Sequence, residues 1–384
     1  MREGRGLTIA YVDYGGQSGV TASVTAALEA RGHRVIPVFG RGPLELRDRR
    51  TGFPRVTPAV LLHLAAAAAR FGGRALDYRW NTPFAFDVHS RFVGEMLGGL
   101  PRGPDVVLQN GALFAPGLPP ARPYVIYLDS TRAQAERHGA VPAAWLPAPP
   151  AWGEGWRARE GATYRGAAAL AAFSRHAARS TVEDYGVAME RVHVVGAGAN
   201  VLPRAVERHD DGATLLFVGR DFDRKGGPIL LEAFVRLRRA RPRLRLLVVG
   251  PRQLRPMPEG VLQLGPEPTE ALPGLFAQAT VFVLPTLREP FGIAFLDAMA
   301  CAVPCVGTTV EAIPEIVEQG RTGLLVPPAD ATALATALER LLAHRDQARA
   351  MGARGRERVL ERFTWRKVAR RLGEVLAAAA PRRA

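Results

Sequence analysis

The sequence predicts an α/β protein: two doubly wound, Rossmann-like domains facing each other across a cleft. Three observations predict it. Short apolar runs alternate with segments of helical apolar spacing along most of the chain, the rhythm of a parallel sheet covered on both faces. The rhythm breaks over the polar stretch from Gly196 to Gly212 and restarts at Thr214-Leu-Leu-Phe-Val-Gly219. The 384 residues are enough for two domains with a core each.

In the first half, Leu7-Thr-Ile-Ala-Tyr-Val12 reads as the opening strand, followed by a Gly-rich turn and a helix to about Arg31. His33–Phe39, Asp105–Gln109, Tyr124–Leu128, Ala168–Phe173 and Arg191–Val195 read as further strands. In the second half the strands fall at Thr214–Gly219, Leu244–Val249, Gly260–Leu264, Val281–Leu284, Pro304–Gly307 and Gly323–Val326. The expected domains are residues 1–200 and 201–363, with a last helix over about 364–384 that contains Trp365.

The composition, 47% hydrophobic and 23% charged, is that of a soluble globular chain, and 40 Gly with 31 Pro imply many short loops. The net charge is +15, largely through arginine, which draws nucleotides, phosphorylated substrates and anionic lipid headgroups. No basic run is interleaved with aromatics and no zinc spacing occurs, which argues against a nucleic-acid partner. The two cysteines, Cys301 and Cys305, lie in an apolar segment and read as buried small residues rather than metal ligands or a disulfide. The N-terminus has no signal-peptide pattern, and the Ala-rich run from Ala59 to Ala69 is too short to span a bilayer. The expectation is a cytoplasmic protein, at most peripheral to the inner face of an anionic membrane.

Three segments could carry chemistry. The loop Asp13-Tyr-Gly-Gly-Gln-Ser-Gly-Val20 joins a strand to a helix; Gly15, Gly16 and Gly19 suit either a tight turn or a close approach to phosphate. Phe217-Val-Gly-Arg220-Asp-Phe-Asp-Arg-Lys225-Gly-Gly227 places Arg220 and Lys225 at the carboxyl end of a strand, where open α/β sheets bind ligands. Their charges suit phosphate oxygens; a solvated basic loop is the alternative. Thr286-Leu-Arg-Glu-Pro-Phe-Gly-Ile-Ala-Phe-Leu-Asp297 sets two carboxylates, Glu289 and Asp297, eight positions apart around a helix start near Ile293. Glu289 is expected just outside the helix and Asp297 just inside it, with the free N–H groups between them suited to an anion.

This last segment resembles the donor-site motif of the GT-B glycosyltransferases of family 4, roughly E-x-F-G-(x)4-E-A-M-A-x-G-x-P. Here it reads Glu289-Pro-Phe-Gly292, then Asp297-Ala-Met-Ala-Cys-Ala-Val-Pro304; the second acid is Asp, and Ala302 replaces a Gly. Gly219-Arg220 through Lys225-Gly226 resembles the family's donor-diphosphate motif. Glu311-Ala-Ile-Pro-Glu315-Ile resembles its G-G-x-P-E-I stretch, with Glu311-Ala312 in place of the Gly pair. The resemblance is specific from about Gly219 to Pro327 and rests on strand order elsewhere.

The resemblance implies a retaining transferase that needs no metal or other cofactor and moves a sugar from a nucleotide-sugar donor to a hydroxyl acceptor, a saccharide, a lipid-linked compound or a small molecule. It assigns Gly16, Arg220, Lys225, Leu264, Phe291, Gly292, Ile293 and Asp297 to the donor, with Asp297 on the ribose hydroxyls and the Leu264 strand beside the base. Glu289 is assigned to catalysis. It also implies that the last helix packs back on the first domain. On the acceptor side, Asp129 follows a strand, where it could take or orient an acceptor proton or serve as a turn cap; His89 and His138 are further candidates. The alternatives are a sugar-nucleotide epimerase on the same fold and a non-catalytic nucleotide-sugar-binding relative.

Overall fold

Among the described residues, twelve parallel strands form two sheets of six. The structure is a computed structural model and describes residues 6–15, 19–40, 42–46, 53–54, 56–138, 153–201, 208–252 and 256–381. Of these, residues 6–137, 153–196 and 368–381 form one compact unit, and residues 138 and 197–367 form the other.

The first unit holds β1 (Thr8–Asp13), β2 (Arg34–Phe39), β3 (Val106–Asn110), β4 (Tyr124–Leu128), β5 (Ala169–Ala172) and β6 (Val192–Val194) in the order β2-β1-β3-β4-β5-β6. β3, β4 and β5 are buried along their whole length, which explains why they read as continuous apolar runs rather than alternating ones. The strand order reverses between β1 and β3, so the loops after these two strands meet at the sheet's carboxyl edge.

The second unit holds β7 (Thr214–Val218), β8 (Arg245–Val249), β9 (Val261–Gly265), β10 (Val281–Val283), β11 (Cys305–Thr308) and β12 (Gly323–Val326) in the order β12-β11-β10-β7-β8-β9. The chain runs outward from β7 to β9, then returns to β10 on the other side. β10 lies directly on β7, Val281 opposite Leu215 and Phe282 opposite Leu216. The switch point of this unit is therefore the gap between the loops after β7 and β10. Phe282 packs edge to face on Phe276 and on Phe295, with centroids 5.8 and 5.4 Å away. Phe295 belongs to helix Ile293–Ala300, so core packing fixes the helix that follows the β10 loop.

All twelve strands lie where the apolar runs placed them, with each end matched or shifted by one residue. Both cysteines are buried and unpaired, and burial raises both thiols, Cys301 to about 12. The last helix is Trp365–Ala379. Its Trp365 donates through Nε1 to Asn200 Oδ1 at 3.2 Å in the second unit, while residues from Val368 onward belong to the first.

Candidate functional site

The loops after β7 and β10 are stitched into one platform. Leu287 donates its backbone N–H to Arg224 O at 3.0 Å, and the Arg224 guanidinium returns a bond to Arg288 O. Two glycines permit the approach. A Cβ on Gly226 would stand 1.9 Å from Pro285 O, and Gly226 has φ of 76°, so no other residue fits there without moving the β10 loop. A Cβ on Gly219 would stand 2.3 Å from Lys225 Cδ, so Gly219 leaves the groove in which the Lys225 side chain lies.

On this platform Lys225 Nζ meets Glu289 Oε2 at 2.5 Å. Glu289 is only 9% exposed, and the contact joins the basic loop to the carboxylate loop. Arg220 is exposed at the carboxyl end of β7. Gly292, with φ of 107°, is the N-cap of helix Ile293–Ala300; Phe291 beside it is buried and Ile293 is half-buried. Leu264 is 39% exposed on the edge strand β9.

Asp297 lies inside helix Ile293–Ala300, as expected, and its partners are two backbone N–H groups of its own unit. It is the fifth residue of this eight-residue helix, in the second turn. Its Oδ1 accepts the backbone N–H groups of Asn200 and Val201 at 2.7 and 2.9 Å, and only 5% of the residue is exposed. The short acid thus caps the segment that leads into the second unit. Burial raises its carboxyl to about 6, although the two N–H groups pull the other way.

Two of the three replaced glycine positions keep glycine-like backbone; the third, Ala312, has φ of -87°. Ala302 has φ of 55° and Glu311 has φ of 46°, both left-handed. Neighbouring groups hold them there. The Ala302 carbonyl accepts from Arg208 Nη1, and Glu311 Oε2 accepts the backbone N–H of Glu289. The Glu311 carboxyl is pushed up to about 7, first by burial; Arg288, the Glu289 N–H and Arg224 oppose the shift, and the Glu289 carboxylate adds to it. Sequence reading flagged position 311 only as a missing glycine and did not anticipate a second carboxylate behind Glu289.

In the first unit, Gly16 lies outside the described residues. Asp13, at the end of β1, organises what is described of its loop. Asp13 Oδ1 accepts from the N–H groups of Tyr14 and Gly15 at 2.7 and 3.2 Å, and Oδ2 accepts from Thr21 Oγ1 at 2.7 Å. Asp13 was not singled out in the sequence; its place before a Gly-rich turn is the signal that could have found it. Asp129 is half-buried one residue past β4. His89 is buried in an aromatic stack between Trp80 and Phe114, at 5.2 and 5.9 Å, which marks it as a core residue. The side chain of His138 lies outside the described residues.

Two successive all-parallel, doubly wound units, the second with a basic loop and a carboxylate loop at its switch point, define the GT-B class. Solved structures agree in fold. Sucrose-phosphate synthase from Thermosynechococcus elongatus superposes with a TM-score of 0.67 at 21% identity, covering 96% of this chain and 98% of that one. Anabaena HepE in complex with UDP-glucose gives 0.65 at 15% identity, covering 97% of this chain and 100% of that one.

Residues 212–344 match the family described as Glycosyl transferases group 1. Alpha-maltose-1-phosphate synthase of Mycolicibacterium smegmatis is 44% identical over 114 residues, 28% of this chain and 30% of that protein. The D-inositol 3-phosphate glycosyltransferase of Pseudarthrobacter chlorophenolicus is 34% identical over 200 residues, 46% of this chain and 48% of that protein. The chain thus spans about half or less of the length of these curated relatives.

Proposed function

We propose that this protein is a glycosyltransferase that moves a sugar from a nucleotide-sugar donor to a hydroxyl acceptor, with retention at the anomeric carbon and no obligatory metal. The observation that carries the reading is the Lys225–Glu289 contact at 2.5 Å on the switch-point platform of the second unit. It sets a cation for a diphosphate and a carboxylate for a sugar hydroxyl side by side. The family match over the same residues and the UDP-glucose complex of a protein of like fold support it.

In the proposed reaction, Arg220 and Lys225 hold the diphosphate and stabilise the charge that grows on it as the anomeric C–O bond breaks. Glu289, released from Lys225 by the arriving phosphate, accepts a donor-sugar hydroxyl. The backbone around Phe291, Gly292 and Ile293 lines the sugar, and the Leu264 edge strand takes the base. The acceptor oxygen forms the new bond to the anomeric carbon, which is oxocarbenium-like in transit. Its proton passes to the departing phosphate oxygen on the same face. Asp129 orients the acceptor. The reaction is placed in the cytoplasm, with peripheral contact to a membrane.

A panel of nucleotide sugars with a broad acceptor set, run with and without a chelator, tests the reading. Transfer or slow donor hydrolysis that survives the chelator is expected. A C2-epimerised donor would make the protein an epimerase, and donor binding without any turnover would make it a binding relative.

A further inference from the structure

Helix Pro58–Phe71 turns an apolar face to solvent. Thr57 caps it, accepting from Val60 N at 3.3 Å, and Val60, His63 and Ala67 form its buried side. The His63 ring packs on Trp80 at 5.2 Å. On the opposite side Leu61 and Leu62 are 56% and 58% exposed, Ala65, Ala68 and Ala69 are exposed, and the first charge is Arg70 in the last turn. A surface helix of a globular protein carries polar residues there. Two of this protein's other helices do so: Gly227–Ala240 exposes Glu232, Arg236 and Arg239, and Trp365–Ala379 exposes Arg366, Arg370 and Glu374.

The apolar face extends beyond one helix. Phe53 and Val56, just before it, are 72% and 76% exposed, and Leu76, in helix Ala75–Tyr78 packed against it, is 59% exposed. Its borders are aromatic and cationic. The Arg74 guanidinium lies 4.6 Å over the Tyr78 ring, and that of Arg79 lies 4.8 Å over Trp80. From Phe53 to Phe86 the sequence has four arginines and one acidic residue, Asp77. The helix has 14 residues, about 21 Å, and no described helix is long and apolar enough to cross a membrane.

We infer that this face seats the protein on an anionic lipid surface. Leu61, Leu62 and Leu76 enter the boundary between headgroups and acyl chains, the helix lies in the membrane plane, and the arginines meet anionic headgroups. The inference gives the peripheral contact proposed above a defined surface, and it stands or falls separately from sugar transfer.

Flotation of the full chain with phosphatidylglycerol or phosphatidylcholine vesicles tests it, on the wild type, L61D/L62D and L76D. The wild type should bind phosphatidylglycerol at least tenfold better than phosphatidylcholine and more weakly in high salt. Both variants should lose most of that binding. Because the substituted side chains face solvent, the variants should keep wild-type circular dichroism and wild-type affinity for UDP or GDP. No binding by the wild type overturns the inference. So does equal binding by the variants, which would mean that net charge acts alone. Light scattering that finds a wild-type oligomer dissolved by L61D/L62D overturns it too, because a second copy would then cover the face.

Discussion

Glu311 accepts the backbone N–H of Glu289, so one carboxylate holds the main chain of another. Because the ionised form is the stronger acceptor, the hold on Glu289 should tighten as Glu311 loses its proton, near pH 7. Wild-type kcat/KM should therefore rise through that pH. Glu311→Gln keeps an acceptor oxygen but does not titrate, so its profile should be flat over the same range. An acid limb of the same position and steepness in both proteins would remove Glu311 from control of Glu289.

Binding and turnover should separate at the Lys225–Glu289 pair. Arg220→Ala and Lys225→Ala should each weaken nucleoside diphosphate binding by roughly 1–3 kcal/mol, the scale of a charge-assisted hydrogen bond. Glu289→Gln leaves Lys225 without its anionic partner, so diphosphate affinity should hold or improve while kcat falls by roughly 10²-fold. Calorimetry and initial rates on the three variants decide. A Glu289→Gln enzyme with wild-type kcat would exclude Glu289 from the chemistry.

Ala302 carries strain that glycine would relieve. An alanine in the left-handed region costs roughly 1–2 kcal/mol, and the greater freedom of glycine in the unfolded chain takes back part of that. Ala302→Gly should stabilise the second unit by roughly 0.5–1 kcal/mol. The carbonyl of residue 302 must stay in place, because a Cβ on Gly352 would come within 2.1 Å of it. A denaturant midpoint that stays put or falls would show that the backbone relaxes without help.

The strands were legible because buried parallel strands read as unbroken apolar runs, β4 from Tyr124 to Leu128 and β12 from Gly323 to Val326 being matched end to end. The loops after β7 and β10 were legible because Gly219, Gly226 and Gly292 sit where a backbone approach or a positive φ demands them. What stayed hidden is partnership across long sequence distances. The Lys225–Glu289 pair spans 64 positions and the Asp297 cap on Asn200 spans 97, and no local pattern encodes either. Nor could a missing glycine reveal that Ala302 and Glu311 keep the backbone a glycine would adopt, since tertiary contacts impose it.

Asp297 should act on stability rather than on the donor. Its folded carboxyl titrates at about 6, against an ordinary value of 3.8. A group raised in this way stabilises the fold in its protonated form, fully at a pH below the ordinary value, and the contribution is lost as pH rises through about 6. The shift corresponds to a loss on the order of 3 kcal/mol. Asp297→Asn keeps an oxygen for Asn200 and Val201 and carries no charge. It should match the wild type near pH 4 and exceed it in stability at pH 8. Asp297→Ala leaves two N–H groups without their acceptor and should be less stable at every pH, by roughly 2–4 kcal/mol. Denaturant unfolding of the three proteins at both pH values is the measurement. Affinities for a ribonucleoside diphosphate and its 2′,3′-dideoxy analogue should change equally on Asp297→Asn. A loss confined to the ribonucleotide would return Asp297 to the ribose hydroxyls and mean that donor binding draws its carboxylate away from the Asn200 cap.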